Sequence, residues 1–230
     1  MNKEISKTVI LLAGLGLMFL GGCAASAPTV ADRPIRFDRE RAELTAAYLR
    51  DRYGIEQEGI SIRPQMIVLH WTAIPELENS FEAFYPSRLP DTRPDITSAG
   101  ALNVSAHYLV DRSGTIFRLM PDTVMARHVI GLNHTAIGIE NVGGTPGTPL
   151  TKAQLQANAW LVRQLAGVHP IRYLIGHYEY TLFEGDALWM EKDSGYRTDK
   201  TDPGRDFMRQ IRRQVRDLGL EGPPKNTNAP

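Results

Sequence analysis

Cysteine is almost missing from this chain. Cys23 is the only one in 230 residues, so no intramolecular disulfide can form and stability has to come from packing and hydrogen bonding. An excess of charge of one sign is missing as well, because 26 basic and 26 acidic side chains cancel. With no basic stripe interleaved with aromatics either, a nucleic-acid partner finds no support. No internal repeat is visible. No local H-E-x-x-H pair occurs, so any histidine metal site would have to be assembled by folding from distant segments. Gly14 and Gly16 lack the strand, turn and helix that a nucleotide loop needs around it. What remains is ordinary globular composition, 42% hydrophobic and 23% charged, in a chain long enough for one domain with a large core.

The amino terminus differs from everything after it. "MNKEISK" carries Lys3 and Lys7, "TVILLAGLGLMFL" is uncharged and apolar but short for a membrane span, and "GGCAAS" offers small residues for cleavage. Residues 1–22 therefore read as an export signal. The stretch "LGGC" resembles the lipobox of bacterial lipoproteins, which implies cleavage before Cys23, acylation of that residue and a membrane anchor. Several acyl chains on one residue hold firmly where a single chain is marginal. The competing reading is an ordinary signal with a chance cysteine. If the lipobox resemblance holds, Ala24 implies sorting to the outer membrane, facing the periplasm. Residues 23–35, with "ASAPTVADRP", read as lipidated Cys and tether, 36–220 as the folded domain and 221–230 as a flexible tail.

Along the domain, "RERAELTAAYLRDRYG" has helical spacing and a closing Gly54. "QMIVLHWT", "TAIGIENVGG" and "IRYLIGH" read as short buried strands, and "HYLVD", "RSG", "TIFRLM" as a hairpin. Thr151 caps a helix over "TKAQLQANAWLVRQLAGVHP", and "PGRDFMRQIRRQVRDLG" is the last amphipathic helix. Residues 73–104 hold four prolines and no clear period, which predicts a long loop with a short helix. The expected class is α/β, a single mixed sheet flanked by helices.

Three positions sit at the edges of these elements: His70 in "VLHWT", His177 in "LIGHYEY" and Asp202 in "KTDPG". Two imidazoles and one carboxylate are a usual ligand set for a catalytic zinc, leaving a fourth position for water. Taken singly, each histidine reads more readily as a satisfied core residue than as a ligand, and Asp202 before Pro203 reads as a helix cap.

The ordered series "IVLHWT", "VSAHYLVDRSGTIFRLMP", "RHVIGLNHTAIGIENVGG", "IGH" and "KTDPGRDF" resembles the zinc-dependent N-acetylmuramoyl-L-alanine amidases related to peptidoglycan recognition proteins, over roughly residues 60–215. The resemblance implies a mixed sheet, a zinc in a surface cleft, and hydrolysis of the amide between N-acetylmuramic acid and the L-alanine of the stem peptide. It puts His70, His177 and Asp202 on the zinc positions, Glu140 on the general base and Lys200 on the group that stabilises the oxyanion. On that reading Asp202 both caps the last helix and binds the metal. Strand parity sets Glu140 on the face of Gly138, whose missing side chain leaves room beside the base. His128, Asn133 and Trp71 are implied substrate contacts, with peptidoglycan or muropeptide as the partner and no signal for more than a monomer. His107 is expected in the core or just behind the ligands, and His134 and His169 in loops.

Two departures stand out. Arg127 precedes His128 where the family often has Trp, and Ala106 stands where some relatives have a Tyr before the hairpin histidine, so Glu140 would be the sole base. Residues 178–201 are longer than in compact relatives, and read as a lid, an extra substrate wall or a packed excursion. They also supply Glu179, Glu191 and Asp199 as rival carboxylates. The alternative to an enzyme is a peptidoglycan-binding lipoprotein of the same fold that does not cut.

Overall fold

A computed structural model describes residues 27–91 and 93–225. The expected signal segment and Cys23 lie outside the described residues. Among the described residues six strands form one mixed sheet: β1 (Val30–Asp32), β2 (Met66–Leu69), β3 (Tyr108–Val110), β4 (Ile116–Arg118), β5 (Ala136–Asn141) and β6 (Tyr173–Gly176). Their spatial order is β1-β4-β3-β5-β2-β6. Only β3 and β4, the predicted hairpin, run antiparallel; every other pairing is parallel.

The helices are α1 (Arg39–Tyr48), α2 (Leu77–Phe84), α3 (Pro94–Thr97), α4 (Lys152–Val168) and α5 (Arg205–Gln214). Local chemistry explains their ends. Asp38 accepts from the Arg41 amide at the start of α1, and Gly54 closes the turn that follows it with φ 67°, a conformation cheap for glycine. At α4, Thr151 and Gln154 form a reciprocal capping box, which satisfies two amides that the helix cannot.

Parallel strands are buried on both faces, so their sequences read as unbroken apolar runs. Alternate residues divide between two cores. Ile67, Leu69, Ile137, Ile139 and Leu174 face α4 and α5. Met66, Val68, Ala136, Tyr173 and Ile175 pack on the opposite side with Tyr48, Tyr180, Phe183 and Tyr196. Fully burying one such aliphatic side chain contributes about 1.5–3 kcal/mol.

Two edges differ from expectation. Residues 30–35, assigned by composition to the tether, run along β4: Val30 pairs with Ile116, and the Ile35 amide donates to Leu119 O at 3.0 Å. The strand exists because β4 offers an unpaired edge, which composition does not reveal. At the other end Glu221 bridges to Tyr173 and its carboxylate pairs with Arg172 at 3.0 Å. The expected flexible tail is thus fastened at its first residue, and residues 226–230 lie outside the described set. The proline-rich segment between β2 and β3 holds two helices, α2 and α3, not one. Arg41, 1% exposed, ties α1 to this segment by donating to Phe84 O at 2.9 Å and Tyr85 O at 3.2 Å.

Candidate metal centre and cleft

Register builds the first row of the site. Leu69 pairs with Ile139 on one side and Gly176 on the other, so the next residues, His70, Glu140 and His177, lie side by side at the carboxyl ends of β2, β5 and β6. Their parity is that of Met66, Val68 and Ile175, which turns all three toward the same face. Clefts at the carboxyl ends of parallel strands are the usual ligand positions of α/β sheets. The backbone behind His70 is fixed from α4: Asn141 donates to His70 O at 2.9 Å and receives Asn158 at 2.7 Å.

Asp202 completes the group from a loop. His70 Nδ1 and His177 Nδ1 lie 2.9 Å apart, and Asp202 Oδ2 lies 3.2 Å from the first and 3.0 Å from the second. These three donors could hold a metal ion. A tetrahedral cation with arms of ~2.0–2.1 Å separates its ligands by about 3.3 Å, so the set needs to open by only a few tenths of an ångström. Asp202 does not cap a helix, contrary to expectation. α5 begins at Arg205 after Gly204 at φ 88°, with no side-chain cap, and the Asp202 carboxylate turns toward the histidines instead. Its carbonyl accepts from the Tyr178 amide at 3.1 Å, which fastens this loop to the turn that carries His177.

Electrostatics reinforce the grouping. Burial, and then the neighbouring His177, push His70 down to about 4, so its ring is neutral near pH 7. Burial works to raise the Asp202 carboxyl, but the charge of His177 and its hydrogen bond outweigh it and hold Asp202 well below the usual carboxylate range. Glu140 is the opposite case. Burial first, and the charge of Asp202 second, raise it to about 8, with Lys200 and Arg93 pulling the other way. Its Oε2 is buried without a hydrogen-bond partner among the described residues. A desolvated, unpartnered carboxyl beside a cluster that could hold a metal ion is a strong sign of function.

The cleft over this row has a volume of about 280 Å³ and is lined by Trp71, Arg93, His128, Glu140, Tyr196 and Lys200 among others. Trp71 stands against Gly144 and Gly204: a Cβ at Gly144 would come within 2.3 Å of its ring. Lys200 is half-exposed at the rim. Asn133 lines the cleft but is 1% exposed. Its side chain accepts from the His128 and Val129 amides at 2.8 and 2.7 Å and donates to the Tyr53 hydroxyl at 2.8 Å. Its polar atoms are thus engaged by the scaffold. Both ring nitrogens of His128 are engaged too, one 3.0 Å from His70 Nε2 and the other 3.2 Å from Ala136 O. The space beside Gly138, expected to make room for the base, is filled by the His128 ring.

The other histidines and carboxylates sort themselves out. His107 is fully buried, its ring accepting from the Gly138 amide at 3.0 Å and bonding Val124 O at 2.9 Å, the core role expected. Glu179 accepts from the Gly176 amide at 2.9 Å and from Arg212 at 3.0 Å, so it braces the turn bearing His177. Glu191 pairs with Arg52 at 2.7 Å. Residues 178–201 form a packed wall: Tyr180, Phe183 and Tyr196 are 2%, 0% and 5% exposed, while Tyr196, Thr198 and Lys200 face the cleft. Sequence reading missed Arg127 as a brace. It is buried, donates to Ile96 O at 2.6 Å and Gly100 O at 3.2 Å, bonds Leu102 O, and reaches the Tyr196 hydroxyl at 3.2 Å. An arginine inside an otherwise apolar segment was its only sign in the sequence.

An endolysin of Enterobacteria phage K11 is 28% identical over 85 residues, which are 35% of this chain and 56% of the endolysin. The chain thus spans about half the length of that curated relative. Among solved structures, the N-acetylmuramoyl-L-alanine amidase LysC and the endolysin amidase LysCS, both of Clostridium intestinale URNW, each match with a TM-score of 0.50 and 18% identity, covering 85% of this chain and 100% and 99% of theirs. At that identity the likeness establishes the fold, a mixed sheet with flanking helices. The family described as N-acetylmuramoyl-L-alanine amidase, Amidase_2, is matched over residues 60–205, a span that holds every residue of the row, the loop and the rim, and the chain belongs to that family.

Proposed function

We propose that the chain is a zinc-dependent N-acetylmuramoyl-L-alanine amidase, cleaving the amide between the lactyl group of N-acetylmuramic acid and L-alanine in peptidoglycan or muropeptides. The observation that carries this reading is the meeting of three metal donors and one unpartnered carboxyl in a single cleft. His70 Nδ1, His177 Nδ1 and Asp202 would hold the metal. Bound there, zinc supplies a water whose pKa falls from 15.7 toward about 7, and a polarised scissile carbonyl.

The chain's own groups do the rest. Glu140, in its ionised form, takes the proton of the attacking water and delivers it to the departing alanine amine. Lys200 lowers the Glu140 pKa, and a bound cation acts in the same direction, so the loaded site favours the base form. Lys200 at the rim also offers positive charge to the oxyanion as it develops. Tyr196 and Trp71 shape the walls, and Arg127 holds the Tyr196 side rigid.

The reading includes export and a lipid anchor at Cys23, with an outer-membrane location facing the periplasm. Six residues lie between Cys23 and Val30, seven steps along the chain, so such an anchor would keep β1 within about 25 Å of the membrane surface. Loss of acylation and release to the soluble fraction in Cys23→Ser is the check on that part. For the activity, a soluble form starting at Ala24 is incubated with purified peptidoglycan, with and without a zinc chelator, and the products are weighed by mass spectrometry. Free stem peptides with an L-alanine amino terminus, absent with chelator, are expected. Intact muropeptides in both samples would overturn the proposal.

A further inference from the structure

Both ring nitrogens of His128 face fixed partners, and the order of those partners has a chemical consequence. Ala136 O is a carbonyl and can only accept, so His128 Nε2, 3.2 Å away, carries the ring proton. A neutral imidazole has one N–H, which leaves a lone pair on His128 Nδ1. That lone pair faces His70 Nε2 at 3.0 Å, so the His70 proton sits on Nε2. The lone pair of His70 is therefore on Nδ1, the atom that meets His177 Nδ1 and Asp202 Oδ2. A backbone carbonyl at one end of the chain of rings determines which nitrogen is offered at the other.

We infer that His128 is a positioning residue, which fixes the tautomer and ring orientation of His70 so that Nδ1 is the metal donor. The inference rests on the metal-dependent reading proposed above. The surroundings are built to hold this one ring. The His128 and His70 rings meet edge-on, with centroids 5.1 Å apart and planes at 89°, and His107 closes the other side at 5.9 Å. Asn133 pins the His128 backbone amide. Gly138 supplies the space: a Cβ there would lie 2.7 to 2.8 Å from the His128 Cγ, Cδ2 and Nδ1 atoms, closer than side chains approach. Gly138 is not among the glycines of positive φ, so space alone demands glycine at that position. Outer partners that orient a metal-binding histidine typically change metal affinity 10- to 100-fold when removed.

Three variants separate this role from a substrate contact and from simple packing. His128→Leu fills the site but cannot accept from His70; His128→Asn places an amide oxygen near the lost Nδ1; Gly138→Ala displaces the ring. Zinc affinity is read by competition with a chromophoric chelator, beside thermal melting of each protein. H128L and G138A are expected to bind zinc roughly 10- to 100-fold more weakly, with H128N recovering most of the loss. At saturating zinc, H128L is expected to lower kcat and leave KM unchanged. H128L binding zinc as tightly as the wild type, H128N and H128L failing alike in step with their melting, or a rise in KM at constant kcat would each overturn the inference. Long-range nitrogen-15 correlation on the zinc-loaded wild type needs no variant: a proton on His70 Nε2 supports the inference, and one on Nδ1 overturns it. Wild-type protein that takes up no zinc would overturn the metal reading and this inference together, whereas equal affinity of wild type and H128L overturns this one alone.

Discussion

Glu140→Gln should make the metal-free protein more stable and the loaded enzyme nearly inactive. The amide keeps the shape of the side chain and removes only its ionisation. In the wild type, burial and then Asp202 raise the carboxyl from 4.5 to about 8. Between those values the unfolded chain has released the proton while the folded protein still holds it. The native state then binds more protons, so wild-type stability falls as pH rises through this window. Each unit of pH within it costs about 1.4 kcal/mol, which makes the burden on the order of 3 kcal/mol at pH 7. Glutamine has no proton to lose. The metal-free variant is therefore expected to melt roughly 6–12 °C above the wild type at neutral pH, at ~2–4 °C per kcal/mol for a chain of this size. Comparing the two proteins at each pH cancels most other titrating groups. The gap should close as pH falls to 4.5, the ordinary value for Glu, and level off above about pH 8. Zinc adds positive charge beside the carboxyl and should narrow it, while kcat of the zinc-loaded variant falls by about 10²- to 10⁴-fold. Calorimetry of chelator-stripped protein across this range decides the matter. A gap that is absent, independent of pH or reversed in sign would refute the view of Glu140 as a desolvated acid.

Other outcomes follow from the same geometry. His177→Ala removes one of three converging donors and is expected to abolish both bound zinc, measured by metal analysis, and activity; full activity would sink the ligand set. Arg127→Lys loses the planar fork that serves three carbonyls and a hydroxyl, and lysine cannot reproduce it. A loss of about 2–4 kcal/mol in denaturant unfolding is expected. Glu179→Gln removes the charge that pairs with Arg212 and weakens the acceptor for the Gly176 amide; stability should drop by about 1–3 kcal/mol, with weaker zinc binding in the same chelator competition because His177 rides on that turn.

Much of this fold could be read before any coordinates, for reasons tied to particular residues. "QMIVLHWT", "TAIGIENVGG" and "IRYLIGH" stood out because strands buried on both faces cannot alternate, and Thr151 announced a helix start by chemistry that acts within one turn. What escaped was settled by partners distant in sequence. β1 carries no apolar pattern and is a strand only because β4 lies beside it. The resemblance implies His128 only as a substrate contact, because its neighbours His70 and Ala136 O are visible only once β2 and β5 are in register. Asp202 shows local and tertiary chemistry in competition. An Asp before a Pro satisfies the rule for a helix cap, yet two histidines from other strands offer its carboxylate a stronger partnership, and the helix begins three residues later without it.

The site thus combines two kinds of positioning. His70, Glu140 and His177 stand in a row set by strand register, which neighbouring loops cannot shift without breaking the sheet. Asp202 and Lys200 arrive at the end of a long excursion and must be placed by packing. Residues 178–201 do this by sinking Tyr180 and Phe183 into the core, pairing buried Glu191 with Arg52, and joining Tyr178 N to Asp202 O. The 24 residues between His177 and Asp202 are therefore absorbed in a wall of the cleft, and the Asp202 carboxylate still reaches the row. The wall and Asp202 are parts of one packed segment, so changes that reshape the cleft through this segment are transmitted to the candidate metal ligands as well.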